Sequence, residues 1–189
     1  MYMEFLQNYN NPKNIRFKSF EFALNEAKKR NHKTIVETGV ARGKIKFLFF
    51  SKINWLDGMS TVIFSDYARH IEGELFSCDI SVQNIKNAKR FSKSNKDFIT
   101  FVTDDSLNFL SKFNKGIDFL YLDSLDGQFE GASSHQLKEI MIAKKNLKEN
   151  SLVLLDDKGD KTNLSIDYML KNDFKIINET KQQVLLSYQ

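Results

Sequence analysis

The sequence predicts an α/β fold with a doubly wound, mostly parallel sheet of seven strands and one antiparallel strand near the C-terminus. Short apolar runs alternate with segments of helical periodicity from residue 33 onward. The apolar runs are nearly continuous, which is typical of parallel strands covered on both faces. The last two runs, DFKIINET and QQVLLSYQ, have no helix between them, so they predict an antiparallel pair that closes the sheet. Together these features indicate a Rossmann-like arrangement.

The predicted elements follow one another in a regular order. Segment 17–31 has apolar residues at helical spacing and, with the irregular arm around Pro12, forms a predicted N-terminal arm and helix at 1–32. The predicted strands are then KTIVE, GELFSCDI, DFITFVTDD, GIDFLYLD and SLVLLDD. The predicted helices are MSTVIFSDYARHI, SVQNIKNAKRF, SLNFLSKF, SSHQLKEIMIAKKNLKEN and NLSIDYMLKN. No repeat or linker interrupts this series, so residues 1–189 are expected to form one domain.

The composition narrows the environment and the partners. The chain has 189 residues, of which 41% are hydrophobic and 28% charged, as in a single globular domain. Its one cysteine, Cys78, excludes an internal disulfide and fits the cytoplasm, which is the expected location. No membrane partner is expected, because the apolar runs are too short to span a bilayer and no secretory signal is evident. The net charge of +4 permits a nucleic-acid partner, but the lysines form no basic stripe, so nucleic acid is not expected.

Acidic side chains stand at the ends of five successive predicted strands. They are Glu37, Asp79, Asp104 with Asp105, Asp123, and Asp156 with Asp157. The carboxyl ends of parallel strands meet at one edge of the sheet, where ligands of α/β proteins bind, so the series predicts a ligand site. At that edge Asp79 can accept hydrogen bonds from both hydroxyls of a ribose, and Asp105 with Ser106 can meet an adenine edge. The alternative for any one of these acids is capping of the following helix.

The strand ends resemble a known family. The motifs VETG, FSCDI, VTDDS and FLYLDS, in this order and spacing, are similar to those of class I S-adenosylmethionine-dependent methyltransferases, over about residues 33–188. The second half, with YLDSLDG and SLVLLDDKGDK, resembles a bacterial subgroup of small methyltransferases and O-methyltransferases. The resemblance implies an enzyme with S-adenosylmethionine as cofactor. The residues it places around that cofactor are Glu37, Gly39, Gly58, Ser60, Thr61, Asp79, Ile80, Asp105, Ser106 and Asp123.

The cofactor loop is expected to carry an insertion. After Gly39 the best helix start lies at DGMST, where Asp57 and Gly58 form a turn and Ser60 or Thr61 can cap the helix. Residues 42–56 would then be an excursion between two parts of one loop. Its apolar side chains predict a flap over the pocket or a homodimer contact. The alternative is an extra hairpin that packs on the core.

Three of the acids predict a metal centre. Asp123, Asp156 and Asp157 come from two adjacent strand ends, and a hard cation such as Mg²⁺ would relieve their mutual repulsion. Metal-dependent O-methyltransferases similarly place acids after these two strands, although this chain has Asp-Asp instead of Asp-Asn, and Ser124 and Leu125 where a histidine or aspartate often follows.

The catalytic assignment is His135, Asp123 and Asp157. His135 is expected to be a fourth metal ligand or the general base, with a local hydrogen bond at the start of its helix as the alternative. The metal-free alternative is that Lys158 and Lys161 neutralise the acids.

The leading functional prediction is therefore metal-assisted O-methylation of a sugar, a polyol or another small hydroxylated metabolite. An RNA or protein methyltransferase is the second enzyme alternative, favoured by the pI of about 9.0 but without a recognition module. A cofactor-binding module without transfer activity is the non-enzyme alternative. A dinucleotide-dependent oxidoreductase is disfavoured because no G-x-G-x-x-G motif occurs.

Overall fold

The computed structural model describes residues 3–47 and 50–189, and its largest element is a seven-stranded sheet with the order β5-β4-β1-β6-β7-β9-β8. The strands are β1 Thr34–Thr38, β4 Glu74–Asp79, β5 Ile99–Thr103, β6 Ile117–Leu122, β7 Leu147–Leu155, β8 Phe174–Glu179 and β9 Val184–Tyr188. Strands β5, β4, β1, β6 and β7 pair in parallel, and β9 is antiparallel to both β7 and β8. The predicted fold class, including the antiparallel strand near the C-terminus, is confirmed.

Helices cover the two faces of this sheet. They are α1 Phe17–Lys29, α2 Ser60–His70, α3 Val82–Phe91, α4 Ser106–Lys112, α5 Ala132–Ala143 and α6 Asp160–Leu170. Every residue of β1 and β6 is buried, as is typical of parallel strands that are covered on both faces. None of the helices in the described part of the chain is long and apolar enough to cross a membrane.

An aromatic cluster fixes α1 and α2 on one face of the sheet. Phe64 of α2 packs edge-to-face against Tyr121 at 5.2 Å and Phe119 at 5.5 Å, and Phe20 of α1 meets Phe64 at 5.4 Å. All four rings are fully buried. Each such pair adds about 1 kcal/mol to the stabilisation from burial, so α1 and α2 are held firmly behind the edge where the strands end.

The opposite face is covered by α4, α5 and α6 through aliphatic side chains. Leu110, Ile140 and Met169 are fully buried there against the other side of β6 and β7. β1 lies between β4 and β6 in the sheet. The chain first adds β4 and β5 on one side of β1 and then crosses back to add β6 and β7 on the other side, so the strand order reverses at β1. The crevice beside the carboxyl end of β1 is therefore the switch point at which α/β proteins bind ligands.

The chain between β1 and α2 contains a separate hairpin. Strands β2 Lys44–Phe47 and β3 Phe50–Ile53 pair antiparallel, and a short 3-10 helix, Trp55–Asp57, follows. Trp55 is partly buried against the part of the core that contains the aromatic cluster. Phe49, one of the aromatic residues behind the flap prediction, lies outside the described residues. The flap and the dimer contact stay predictions.

The predicted cap of α2 was wrong. Gly58 forms the expected turn in the left-handed conformation, but the residue that precedes the helix is Met59, which makes no side-chain capping bond. Ser60 and Thr61 are the first two helical residues, and their hydroxyl groups donate to the buried carboxylate of Glu37. A buried carboxylate without hydrogen-bond donors is strongly unfavourable, so these hydroxyl groups are engaged by Glu37.

Candidate functional site

Three adjoining cavities lie along the carboxyl edge of the sheet. The central cavity, of about 130 Å³, lies between the ends of β1, β4 and β6. The β5-side cavity, of about 120 Å³, shares Gly39 and Asp79 with it. The acidic cavity, of about 160 Å³, shares Asp123 and Asp126 with the central cavity on the other side. The three cavities therefore form one groove that crosses the switch point.

Gly39 allows the loop after β1 to pass close to β6. Its φ is +82°, and a Cβ atom at this position would lie 2.1 Å from the backbone oxygen of Asp123. Its N–H donates to the carbonyl of Cys78 at 2.8 Å, and the N–H of Asp123 donates to Thr38 at 2.8 Å. Only glycine combines this backbone conformation with so close an approach, so the floor of the central cavity depends on Gly39.

Glu37 organises the loop from behind and does not line the groove. Its carboxylate is fully buried and accepts hydrogen bonds from Ser60 at 2.5 Å, Thr61 at 2.8 Å and Ser77 at 2.7 Å. The Thr61 hydroxyl in turn accepts from the N–H of Ala41 at 2.8 Å. Burial raises the pKa of Glu37 to about 7 against the opposing effect of these hydroxyl groups. A fixed chain of hydrogen bonds thus connects β1 to the loop.

The structure brings most of the predicted cofactor residues to the groove. Gly39, Ser60, Asp79, Ile80 and Asp123 line the central cavity, and Asp105 and Ser106 line the β5-side cavity. Glu37, Gly58 and Thr61 are not among the residues that line the three cavities.

Asp79 is held rigidly at the boundary between two cavities. Its carboxylate accepts from the N–H of Ser81 at 2.7 Å, from the N–H of Val40 at 3.2 Å, and from the side-chain amide of Asn84. The next residue, Ile80, is 74% exposed and lines both cavities. A fixed carboxylate beside an open apolar surface suits a ligand that has hydroxyl groups and a flat ring.

The β5-side cavity contains His135 and its partners. His135 Nε2 lies 2.9 Å from the hydroxyl of Ser106 and 3.8 Å from the buried carboxylate of Glu139. Asp105 caps α4 by accepting hydrogen bonds from the N–H groups of Leu107 and Asn108, as the capping alternative expected. The same residue also lines the cavity. Burial raises the pKa of Glu139, a residue whose place in the site the sequence analysis missed. Its sequence signal was the Ser-x-His-x-Leu-x-Glu pattern from Ser133 to Glu139, which resembles the helix opening of the bacterial subgroup, but no site role was assigned to the glutamate.

The three acids predicted as metal ligands do lie together. One oxygen from each of Asp123, Asp156 and Asp157 can be chosen so that all lie within 4.8 Å of one another. Among the described residues, His135 does not belong to this group. The structure therefore separates the predicted histidine from the predicted metal centre.

Two side-chain cations, the partly buried Arg16 and the buried Lys161, already pair with the acidic group. The guanidinium of Arg16 donates to both oxygens of Asp156, at 2.7 and 2.8 Å, and to Asp157 at 3.0 Å. The Lys161 ammonium lies 3.2 Å from Asp123 and 3.3 Å from Asp157. The metal-free alternative expected Lys158 and Lys161 to neutralise the acids, and Lys161 does contact two of them. The structure places the other, Lys158, in an ion pair with Glu179 at 2.6 Å.

The electrostatics follow from these contacts. Burial and repulsion by Asp156 raise the pKa of Asp123 well above its ordinary value. Burial also raises the pKa of Asp157, but Lys161, the N–H of Gly127 and Arg16 outweigh it, so the pKa is lowered. Because side-chain cations already hold these oxygens, the donor set does not fit a divalent ion without displacement of at least one of them.

Comparison with known proteins agrees with this fold. A family model described as a methyltransferase domain matches residues 55–158, more than half of the chain. The chain therefore belongs to this methyltransferase family. The predicted class I S-adenosylmethionine-dependent superfamily and the enzyme class are confirmed, and the subgroup within the superfamily stays a prediction. No curated protein matches the sequence.

Three similar solved structures act on different acceptors. An rRNA methylase from Streptococcus thermophilus aligns with a TM-score of 0.63 at 11% identity, over 90% of this chain and 96% of that one. An S-adenosylmethionine-dependent O-methyltransferase from Thermotoga maritima gives 0.63 at 12% identity, over 90% and 64%. The N-methyltransferase NodS from Bradyrhizobium japonicum, bound to S-adenosyl-L-homocysteine, gives 0.60 at 12% identity, over 98% and 97%. At these identities the likeness concerns the fold and leaves the acceptor open.

Proposed function

We propose that this protein transfers a methyl group from S-adenosylmethionine to an oxygen of a small hydroxylated molecule, such as a sugar or a polyol. The observation that carries the proposal is the groove itself. A cavity bounded by Asp79 and the Gly39 loop continues, at Asp123, into a small cavity lined by carboxylates. A donor can lie on one side of Asp123 and an acceptor on the other.

The donor is assigned to the central and β5-side cavities. The fixed carboxylate of Asp79 would accept from the ribose hydroxyls in place of the Asn84 amide, which lies 3.3 and 3.2 Å from its two oxygens. Asp105, Ser106 and the open side chain of Ile80 would surround the adenine. S-adenosyl-L-homocysteine in NodS supports the choice of cofactor. By its position, His135 belongs to this nucleobase end, so we place it in cofactor binding instead of proton transfer.

The acceptor is assigned to the acidic cavity. Methyl transfer is an in-line displacement at the sulfonium carbon, and the protein's main contribution is to hold the two reactants in line. Asp123 lines both cavities, and one of its oxygens is paired with Lys161 whereas the other lies 3.4 Å from the hydroxyl of Tyr121. That second oxygen would accept the hydroxyl proton of the acceptor as the new carbon–oxygen bond forms and the sulfonium carbon–sulfur bond breaks. Asp157 would hold a neighbouring hydroxyl.

The acceptor end disfavours a phosphate-rich substrate. The acidic cavity is lined by four carboxylates, from Asp123, Asp126, Asp156 and Asp157, and by the guanidinium groups of Arg16 and Arg42, which are paired with three of them. The carboxylates outnumber the guanidinium groups by four to two, and carboxylates repel phosphate groups. RNA therefore remains the alternative that the rRNA methylase neighbour supports, but it is not the one that this lining favours. Cytoplasmic location and a homodimer contact through residues 42–56 also stay proposals.

Calorimetric titration with S-adenosyl-L-homocysteine tests the cofactor assignment. The wild type is expected to bind, and Asp79→Asn is expected to bind at least tenfold more weakly, since a hydrogen bond to a charged group contributes about 1.5–3 kcal/mol. Asp97→Asn, an exposed aspartate outside the three cavities, is the matched control. Equal affinities of both variants would reject the ribose assignment.

Product formation from a panel of acceptors tests the substrate class. Release of S-adenosyl-L-homocysteine would be measured with sugars, polyols, catechols, small amines and ribosomal RNA. Turnover with a hydroxylated small molecule supports the proposal. Turnover confined to RNA or to amines would overturn it, and cofactor binding without any turnover would favour the non-catalytic module.

A further inference from the structure

The acidic group at the end of β6 and β7 has a complete set of hydrogen-bond donors. Asp156 accepts from Arg16 on both oxygens and from the amide of Gln183 at 2.6 Å. Asp157 accepts from Arg16 on one oxygen and from Lys161 and the N–H of Gly127 on the other. Every oxygen of these two carboxylates therefore has a partner from the protein itself.

The two cations are built into the structure. The Lys161 side chain is 2% exposed and that of Arg16 is 13% exposed. Arg16 also donates to the carbonyl of Leu56 at 2.8 Å, and its own carbonyl accepts from Ser19 at 2.9 Å. Arg16 cannot leave without depriving the fully buried carboxylate of Asp156 of its charged partner, which costs several kcal/mol in proteins. Removal of Lys161 would leave the partly buried carboxylates of Asp123 and Asp157 without their shared cation.

The origin of these partners in the sequence is distinctive. The three acids lie within the part of the chain that matches the methyltransferase family, residues 55–158. Arg16, Lys161 and Gln183 all lie outside it. The acids thus lie inside the matched region, whereas the two cations that neutralise them come from the N-terminal segment and from α6, and the amide of Gln183 comes from the residue before β9.

We propose that Arg16 and Lys161 take the place of a divalent metal at this centre, so that the protein binds and positions its acceptor without one. Mg²⁺ requires oxygen ligands at about 2.0–2.1 Å in octahedral geometry, and here the oxygens of Asp156 and Asp157 are directed at nitrogen donors. The ammonium of Lys161 holds Asp123 and Asp157 together as a shared ion would. The role in acceptor positioning rests on the proposed function, but the exclusion of the metal does not.

Metal binding to the full chain tests this inference without cofactor or substrate. Calorimetric and thermal-shift titrations of the wild type with MgCl₂ and MnCl₂ are expected to show no saturable heat and a constant Tm. Lys161→Met removes the ammonium from one oxygen of Asp123 and from one of Asp157, which keeps only the N–H of Gly127, so this variant is expected to gain a saturable Mn²⁺-dependent rise in Tm, on the order of 5 °C. Lys158→Met is the matched control. It removes the same charge from a lysine only three residues before Lys161, but that lysine is paired with Glu179.

Saturable binding of either ion to the wild type, abolished by Asp157→Asn, would overturn the inference. So would the absence of any ion-dependent shift in a folded Lys161→Met variant. If that variant does not fold, the wild-type titration still decides. Because neither titration contains S-adenosyl-L-homocysteine, failure here is distinguishable from failure of the cofactor assignment, which the separate titration with that ligand reports.

Discussion

Replacement of Glu37 by glutamine is expected to remove a pH-dependent loss of stability. The Glu37 carboxyl is fully buried, and its pKa is raised from the ordinary 4.5 to about 7 because burial disfavours the charged form more than the hydroxyl donors favour it. Glutamine has the same shape, and its amide oxygen can still accept from Thr61 and Ser77 while its amide nitrogen donates to the oxygen of Ser60. The hydrogen-bond chain to the cofactor loop is therefore largely preserved.

The magnitude and its sign follow from proton binding. In the unfolded chain Glu37 ionises near 4.5, whereas in the folded protein it holds its proton up to about 7. Between these values the folded state binds more protons, so the free energy of unfolding falls as the pH rises. The stabilisation is fully present below pH 4.5 and is lost by about pH 7. Since one pH unit of difference in pKa corresponds to about 1.4 kcal/mol, the loss amounts to about 3 kcal/mol.

Urea denaturation at pH 5, 6, 7 and 8 measures this effect. The difference in unfolding free energy, wild type minus Glu37→Gln, is expected to fall by about 2.5 kcal/mol from pH 5 to pH 8, because part of the loss occurs below pH 5. Glu149→Gln, at an exposed position in β7, should parallel the wild type at every pH. A difference for Glu37→Gln that changes by less than about 0.5 kcal/mol across this range would refute the reasoning, because ordinary surface substitutions have effects of that size.

Three further predictions concern the groove. Gly39→Ala is expected to weaken S-adenosyl-L-homocysteine binding by at least tenfold and to lower Tm, because the new Cβ atom would clash with the backbone of Asp123. Gly131→Ala is the control, because it has the same φ of +82° without the clash and should retain affinity. Equal behaviour of the two variants would contradict the close-approach argument. Arg16→Met is expected to lower the free energy of unfolding, measured in urea, by about 3–5 kcal/mol, since it leaves the buried carboxylate of Asp156 without its guanidinium partner. Arg69→Met, which removes a surface ion pair, should lower it by less than about 1 kcal/mol. A similarly small effect of Arg16→Met would show that its ion pairs contribute little to stability. His135→Asn is expected to weaken cofactor binding, measured by calorimetry, about fivefold with little change in kcat. A larger loss in kcat than in affinity would instead support the catalytic role that the sequence predicted for His135.

The sheet and the positions of the acids were predictable because both depend on short-range patterns. A buried parallel strand is a run of apolar residues, and the residue after it lies at the carboxyl edge whatever the rest of the chain does. Asp79, Asp105 and Asp123 therefore reach the groove as the strand ends predicted. The cap of α2 was wrong for a related reason, since capping rules consider the helix alone and the hydroxyls of Ser60 and Thr61 were directed to a carboxylate on β1.

The sequence by itself determined the α/β class, the order of the elements, the methyltransferase family and the edge of the sheet that carries the acids. Only the tertiary structure decided what those acids contact. Arg16 precedes Asp156 by 140 residues, and no local pattern indicates that its guanidinium folds back onto that carboxylate. The separation of His135 from the acidic group likewise depends on which cavity its helix faces. Local propensities act over a few residues, whereas ion pairs and cavities depend on distances that packing sets across the whole chain.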